Sequence, residues 1–212
     1  MITDTKPQTT RRAAKGVRRR QLIEATIATI AKRGLGDTTL AHISTAAGLS
    51  QGIVNLHFTS KDNLLNETLK YLRDEYEQTW KTALERADDD PASQLAALLK
   101  ADYKASVTDI KKLAVWFAFW GEVKSRPTYQ KICQGRVKDY NAVLEDILRR
   151  LIKAGNYSDI EVQDITEGIM AMADGLWLNM LVSARDVKRK HAEKVMMQYM
   201  VQTFPAHKSY FL

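Results

Sequence analysis

Apolar residues recur three and four positions apart along almost the whole chain, and nowhere do they alternate one in two. Over residues 17–33, Leu22, Ile23, Ile27 and Ile30 fall on one helical face, and Gly34 and Gly36 end the helix. Leu40, Ile43, Ala46 and Ala47 resume the period, and Ile53, Leu56 and Phe58 continue it loosely beyond a break at Gly48-Leu49-Ser50. From Lys61 the positions Leu64, Leu65, Leu69, Leu72, Tyr76, Trp80 and Leu84 keep helical spacing to about residue 86. At ~1.5 Å per residue that makes a rod of about 39 Å. Asp90-Pro91, a cap followed by proline at the first helical position, opens the next helix. Further helices are predicted at about 92–107, 109–124, 128–154, 159–184 and 187–203. Their punctuation is Arg126-Pro127, Gly155, a capping-box pair Ser158 and Glu161, and Phe204-Pro205. The pattern predicts an all-α chain.

The stretch 39–58 carries a specific arrangement: two short helices joined by a tight turn. Gly48 suits the left-handed backbone position that ends the first, Ser50 can cap the second, and small alanines at 46 and 47 let the helices cross closely. Reading base pairs in the major groove needs a helix whose first turns carry short polar side chains. Gln51 and Asn55 lie four apart on one face and either can pair bidentately with adenine. His57 can reach a base or a phosphate, and Gly52 allows close approach of the backbone to DNA. Thr38, Thr39, Ser50 and Lys61 sit at helix starts, where hydroxyls, an ammonium and free N–H groups can hold phosphates. The bland alternative is a helical hairpin with a polar outer face.

Charge favours DNA. The formal net charge is +7, and residues 1–20 hold Lys6, Arg11, Arg12, Lys15, Arg18, Arg19 and Arg20 against Asp4 alone. Six of the seven net charges therefore sit beside the helix-turn-helix, with Arg18 and Arg19 placed for phosphate contact. Residues 1–16 read as a flexible basic arm; a solvated tail is the alternative. The single cysteine, Cys133, excludes a disulfide framework and a CxxC metal pair, and fits a reducing cytoplasm. The longest apolar run, 113–121, is too short to span a membrane. His42, His57, His191 and His207 show no metal spacing, and neither a phosphate loop nor a nucleophile motif stands out. No enzyme, metal or cofactor is expected.

The second half is aromatic. Trp116 and Trp120 lie four apart with Phe117 beside them, and Tyr140, Asp174 and Trp177 are available from later helices. Such residues are more often core than ligand box. Ring faces with a carboxylate nearby are nevertheless what a quaternary ammonium needs, since it donates no hydrogen bond. The helix from Asp159 is apolar on most sides, as either a monomer core or a dimer interface requires.

Residues 18–65 resemble the DNA-binding domain of the TetR family of repressors through RRRQLIEATIATIAKRGLGDTT, LAHISTAAGLSQGIVNLHF and SKDNLL. Two departures stand out: Leu56 replaces a usual tyrosine, and His42 occupies a position often acidic or amide, removing the usual capping box from Thr39. KKLAVWFAFWGEVKSRPTYQKI and IMAMADGLWLNMLVS are similar to segments of BetI-type repressors, which control glycine-betaine synthesis and respond to choline. The resemblance implies a three-helix helix-turn-helix domain at 17–60. A helical effector-binding and dimerisation domain at 61–212 would follow, with 61–86 as connecting helix. It further implies a homodimer on a pseudo-palindromic double-stranded operator and a small cationic effector such as choline. A multidrug or lipophilic-cation sensor and an effector-free architectural DNA-binding protein are the other readings.

Overall fold

The structure, a computed structural model, describes residues 8–183 and 188–212, and all regular structure among them is helical. The chain divides into two compact units at Tyr71 and Leu72, inside one helix.

The first unit contains α1 (Gln8–Arg33), α2 (Leu40–Ala47), α3 (Gln51–His57) and the start of α4 (Lys61–Glu85). Its core is Leu22, Ile23, Ile27 and Ile30 from α1, Ile43 and Ala47 from α2, Val54 and Phe58 around α3, and Leu64, Leu65 and Leu69 from α4. Those α4 leucines move the division to residue 71 from the expected boundary at 60. The expected arm at 1–16 is also corrected. Its residues from Gln8 onward are helical, because Gln8, Arg11–Arg12, Ala13–Ala14 and Lys15 are strong helix formers and Gly16 costs only ~1 kcal/mol. Residues 1–7 lie outside the described residues.

The turn between α2 and α3 forms as its sequence requires. Gly48 takes φ 62° and ψ 31°, and the Leu49 amide donates back to the Ser44 carbonyl at 2.9 Å. Gln21 reaches across from α1 to donate to the Ala47 carbonyl at 2.8 Å. Ala47 is buried at the crossing, whereas Ala46 is exposed. Thr39 caps α2 by accepting from the His42 amide at 3.1 Å, so half of a capping box survives without an acidic residue at 42. Ser60 caps α4 through the Asn63 amide at 3.0 Å.

The second unit contains the remainder of α4, α5 (Pro91–Ala101), α6 (Ile110–Glu122), α7 (Pro127–Gly155), α8 (Val162–Val182), α9 (Arg189–Thr203) and a 3-10 segment (Pro205–Tyr210). Asp90 caps α5 as expected, but α5 ends at Ala101 and residues 102–109 form turns. The Ser158–Glu161 box does not form: Ser158 donates to Asp159 instead and α8 begins at Val162. The left-handed residue after α7 is Asn156 (φ 51°), one beyond the expected glycine. The helix ends expected at 184 and 187 lie outside the described residues.

One polar group holds this unit's helices together. Asp102, 2% exposed at the end of α5, accepts Tyr76 Oη of α4 at 2.7 Å and Tyr140 Oη of α7 at 2.8 Å. Its backbone carbonyl accepts Trp177 Nε1 of α8 at 3.1 Å. The rings that bring these donors also pack together: Tyr76 stacks on Tyr140 at 5.8 Å, and Trp177 and Trp80 meet them edge-on. Asp102→Ala leaves two buried phenols without an acceptor, at ~1–3 kcal/mol each. Urea unfolding of this variant is expected to show a loss of about 3 kcal/mol or more, with Asp102→Asn, which can accept from one phenol and donate to the other, recovering most of it.

Candidate nucleic-acid interface and ligand cavity

α3 has two unlike sides. Val54 and Phe58 are buried in the first unit's core, while Gln51, Gly52, Asn55 and Leu56 are exposed as two neighbouring pairs one turn apart. A Cβ at Gly52 would meet only Ser50 Oγ, at 3.8 Å, so no contact within the protein requires glycine there. Ser50 sits at the N-cap with extended backbone but makes no side-chain capping bond, correcting that expectation. Its exposed hydroxyl remains beside the exposed face of α3.

The phosphate candidates separate by burial. Thr38 is fully buried and donates to the Gly34 carbonyl at 2.7 Å, so it closes the turn after α1 and presents no hydroxyl to a phosphate. Thr39 is exposed, Lys61 is half-buried at the start of α4, and Arg18 is exposed with Nη1 donating to Gln21 at 2.7 Å. Arg19 is partly engaged inside the protein. It pairs with Glu67 of α4, and its guanidinium lies 5.0 Å from the Phe58 ring centre. Burial pushes the Glu67 carboxyl up, but the hydrogen bond and charge of Lys70, with Arg19, outweigh it and leave it below its usual value.

His57 is half-buried at the end of α3, and its Nδ1 is enclosed without a hydrogen-bond partner among the described residues. Burial, then the charges of Lys15 and Arg19, lower its pKa from the usual histidine value. The two cations that cause part of the shift lie on the basic stretch of α1.

In the second unit a cavity of about 450 Å³ opens where α6, α7 and α8 approach. Trp120 and Asp174, both expected for ligand binding, line it together. Val123, Gln130, Cys133, Gln134, Val137 and Lys138 complete the wall. Sequence reading missed these because the start of α7 reads as polar surface. The signal was there, since Gln130, Gln134 and Lys138 repeat every four residues, as do Cys133 and Val137. Trp116 is buried behind Trp120 with ring centres 6.2 Å apart, and Phe117 packs edge-on against Trp120 at 4.9 Å.

Tyr140 and Trp177 do not line this cavity; both are buried around Asp102. Burial, and then the Asp102 charge, raise the Tyr140 phenol well above its usual value, keeping it a donor. Tyr103 beside it is raised for the same two reasons, with further contributions from Glu193 and Asp174. Asp174 is thus electrostatically felt at the buried cluster as well as at the cavity, and Trp177 follows it by three residues on α8. Among the described residues there is no metal-binding group of His, Cys, Asp or Glu, and no helix is long and apolar enough to cross a membrane.

Comparison with known proteins agrees with this division. Residues 22–68 match the bacterial regulatory proteins of the tetR family, and residues 91–205 match the C-terminal domain of BetI-type transcriptional repressors. The HTH-type transcriptional regulator BetI of Paraburkholderia xenovorans (strain LB400) is 31% identical over 184 residues, covering 86% of this chain and 91% of that protein. BetI of Serratia proteamaculans (strain 568) is 33% identical over 165 residues, covering 76% and 80%. A transcriptional regulator from Pseudomonas aeruginosa PAO1 superposes with a TM-score of 0.77 at 26% identity, covering 92% of this chain and 94% of its own. A regulator from Saccharomonospora viridis, solved in complex with choline, superposes at 0.76 with 20% identity, covering 87% and 95%. These relatives are transcriptional regulators, not enzymes. The chain, with its helix-turn-helix unit and aromatic helical unit, belongs to the BetI-type TetR-family transcriptional repressors.

Proposed function

We propose that the protein works in the cytoplasm as a homodimeric repressor. Its affinity for a pseudo-palindromic operator is set by choline or a related quaternary ammonium compound, and it governs genes of glycine-betaine synthesis or choline uptake. The observation that carries the effector reading is the convergence of Trp120 and Asp174 on one cavity of ordinary ligand-site size. A ring face attracts a quaternary ammonium, the carboxylate adds charge, and no donor is demanded of the cation. Gln130, Gln134 and Lys138 supply hydrogen-bond donors for an oxygen at the ligand's other end. That feature favours choline or betaine aldehyde over a flat lipophilic cation without oxygen. The choline held by the Saccharomonospora viridis regulator supports the same class.

Dimerisation is supported by Leu178 and Val182, 41% and 64% exposed on α8. Two heads on one operator would place recognition helices in successive major grooves, about 34–36 Å apart. Gln51, Gly52 and Asn55 face the bases, with Ser50, Thr39, Lys61, Arg18 and His57 around them for phosphate or base contact. Arg19 would serve there only by sharing its charge with Glu67.

Control follows from the order of residues on α8 and α4. A ligand drawing on Asp174 displaces the turn that carries Trp177, and Trp177 is bonded to Asp102, which holds Tyr76 of α4. α4 continues without a break to Lys61, so a shift at Tyr76 reaches the start of the same helix. The ligand moves the equilibrium only by binding one arrangement more tightly than the other.

The direct test is operator selection from random DNA, repeated with and without choline. A discrete operator weakened by choline is expected, with tryptophan fluorescence quenched as choline binds. Trp120→Ala is expected to weaken choline binding about tenfold, in line with cation–π contacts of ~1–2 kcal/mol, and Asp174→Asn is expected to weaken it by removing the carboxylate charge. Indifference to every quaternary ammonium would refute the effector and leave the operator binding standing. Tyr76→Phe is expected to retain choline and operator binding while reducing the coupling between them, measured as the ratio of operator affinities with and without choline. Gly52→Ala is expected to raise the melting temperature, since alanine is favoured over glycine in a helix by ~1 kcal/mol. The same variant is expected to bind the operator more weakly, a divergence that only an external partner at Gly52 produces.

A further inference from the structure

Leu56 has no role in the protein's own packing. It is 73% exposed in the last turn of α3, on a face otherwise made of Gln51, Gly52 and Asn55, while Val54 and Phe58 on either side of it in sequence are buried. The helix sets it one turn after Gly52 and directly beside Asn55, so it shares the surface that enters the groove. Gly52 carries no side chain to stand between Leu56 and an approaching duplex.

An isobutyl group can neither donate nor accept a hydrogen bond, so phosphates and the polar base edges offer it no bond. In the major groove one group is apolar: the C5-methyl of thymine. Resting on the operator reading proposed above, we infer that Leu56 is a base-reading residue that packs on the methyl group of one thymine in each half-site, next to the base pair addressed by Asn55. The family's usual tyrosine at this position has a hydroxyl that can reach a phosphate; the leucine gives up that option. The protein therefore reads a thymine through shape and desolvation alone, with Gln51 and Asn55 supplying the hydrogen-bonded readout beside it. An A·T-containing half-site follows, because amides pair bidentately with adenine N6 and N7.

Replacing thymine by deoxyuridine removes the methyl and leaves every hydrogen-bonding edge intact. The experiment selects operators from random DNA with the wild-type chain and with Leu56→Ala, then replaces each thymine of the wild-type operator by dU, symmetrically in both half-sites. Binding is followed by fluorescence anisotropy at one fixed salt concentration. One symmetric replacement is expected to weaken the wild type about sixteenfold, fourfold per methyl, the equivalent of ~0.8 kcal/mol for each buried methyl group. Leu56→Ala is expected to bind the dT and dU operators equally, to lose the enrichment at that position, and to melt at the wild-type temperature because its side chain is exposed. Three outcomes overturn the assignment: indifference of the wild type to every dU replacement, an unchanged dU effect in Leu56→Ala, or no thymine enriched by the wild type over that variant.

Discussion

Moving a carboxylate out of water costs several kcal/mol unless hydrogen bonds replace the lost hydration. At Asp102 the carboxylate's replacement comes from two helices, and a third helix bonds its backbone. Two phenols reach its oxygens from α4 and α7, and an indole N–H of α8 takes its backbone carbonyl. Each donor is fixed only if its helix sits at the right height and rotation, so satisfying one residue sets the register of three others against α5. Leucine and methionine contacts in the surrounding core, such as Leu95, Leu148, Met196 and Met200, supply most of the burial. They tolerate small slides, however, whereas a hydrogen bond of 2.7–2.8 Å does not.

The first unit solves a different problem. Its basic stretch must hold like charges close together without unfolding its own helix, and part of the answer is internal. Arg19 is tied to Glu67 and laid over Phe58, and Arg20 is paired with Glu24 four residues on. The Arg19–Glu67 pair binds α1 to α4, and both pairs moderate the positive charge carried by the first half of α1. The reading helix is by contrast left bare on its outer side. Polar groups, a glycine and one leucine stand in water with little intramolecular engagement, which is the condition of a surface kept for a partner.

Much of this was legible in the sequence, and the exceptions have physical causes. Helical period, the turn glycine at 48, the Asp90-Pro91 start and the exposure of Gln51 and Asn55 on one face of α3 are local features and appear where their spacing puts them. What escaped was set by distant partners. Thr38 reads as a phosphate hydroxyl until Gly34 claims it, and Ser158 reads as a cap until Asp159 does. Tyr140 and Trp177 belong to an aromatic group, as composition suggests, but the residue that gathers them is Asp102, an acid in a run of ordinary helix formers. No periodicity marks a carboxylate as buried. The cavity wall from α7 was hidden for the opposite reason: glutamines and a lysine at four-residue spacing look like any solvated face until a tryptophan stands across from them.

The wall of the cavity and the cluster that fixes the helices share no residue. Gln130, Gln134 and Lys138 are exposed side chains on the first turns of α7, and none of them contributes to the buried core. Changes at these positions alter the chemistry of the cavity wall while leaving the register of α4, α5, α7 and α8 untouched. A scaffold arranged in this way lets the cavity wall drift independently of stability. One helical body can present different walls by surface substitution, with the hydrogen bonds of Tyr76, Tyr140 and Trp177 to Asp102 unchanged.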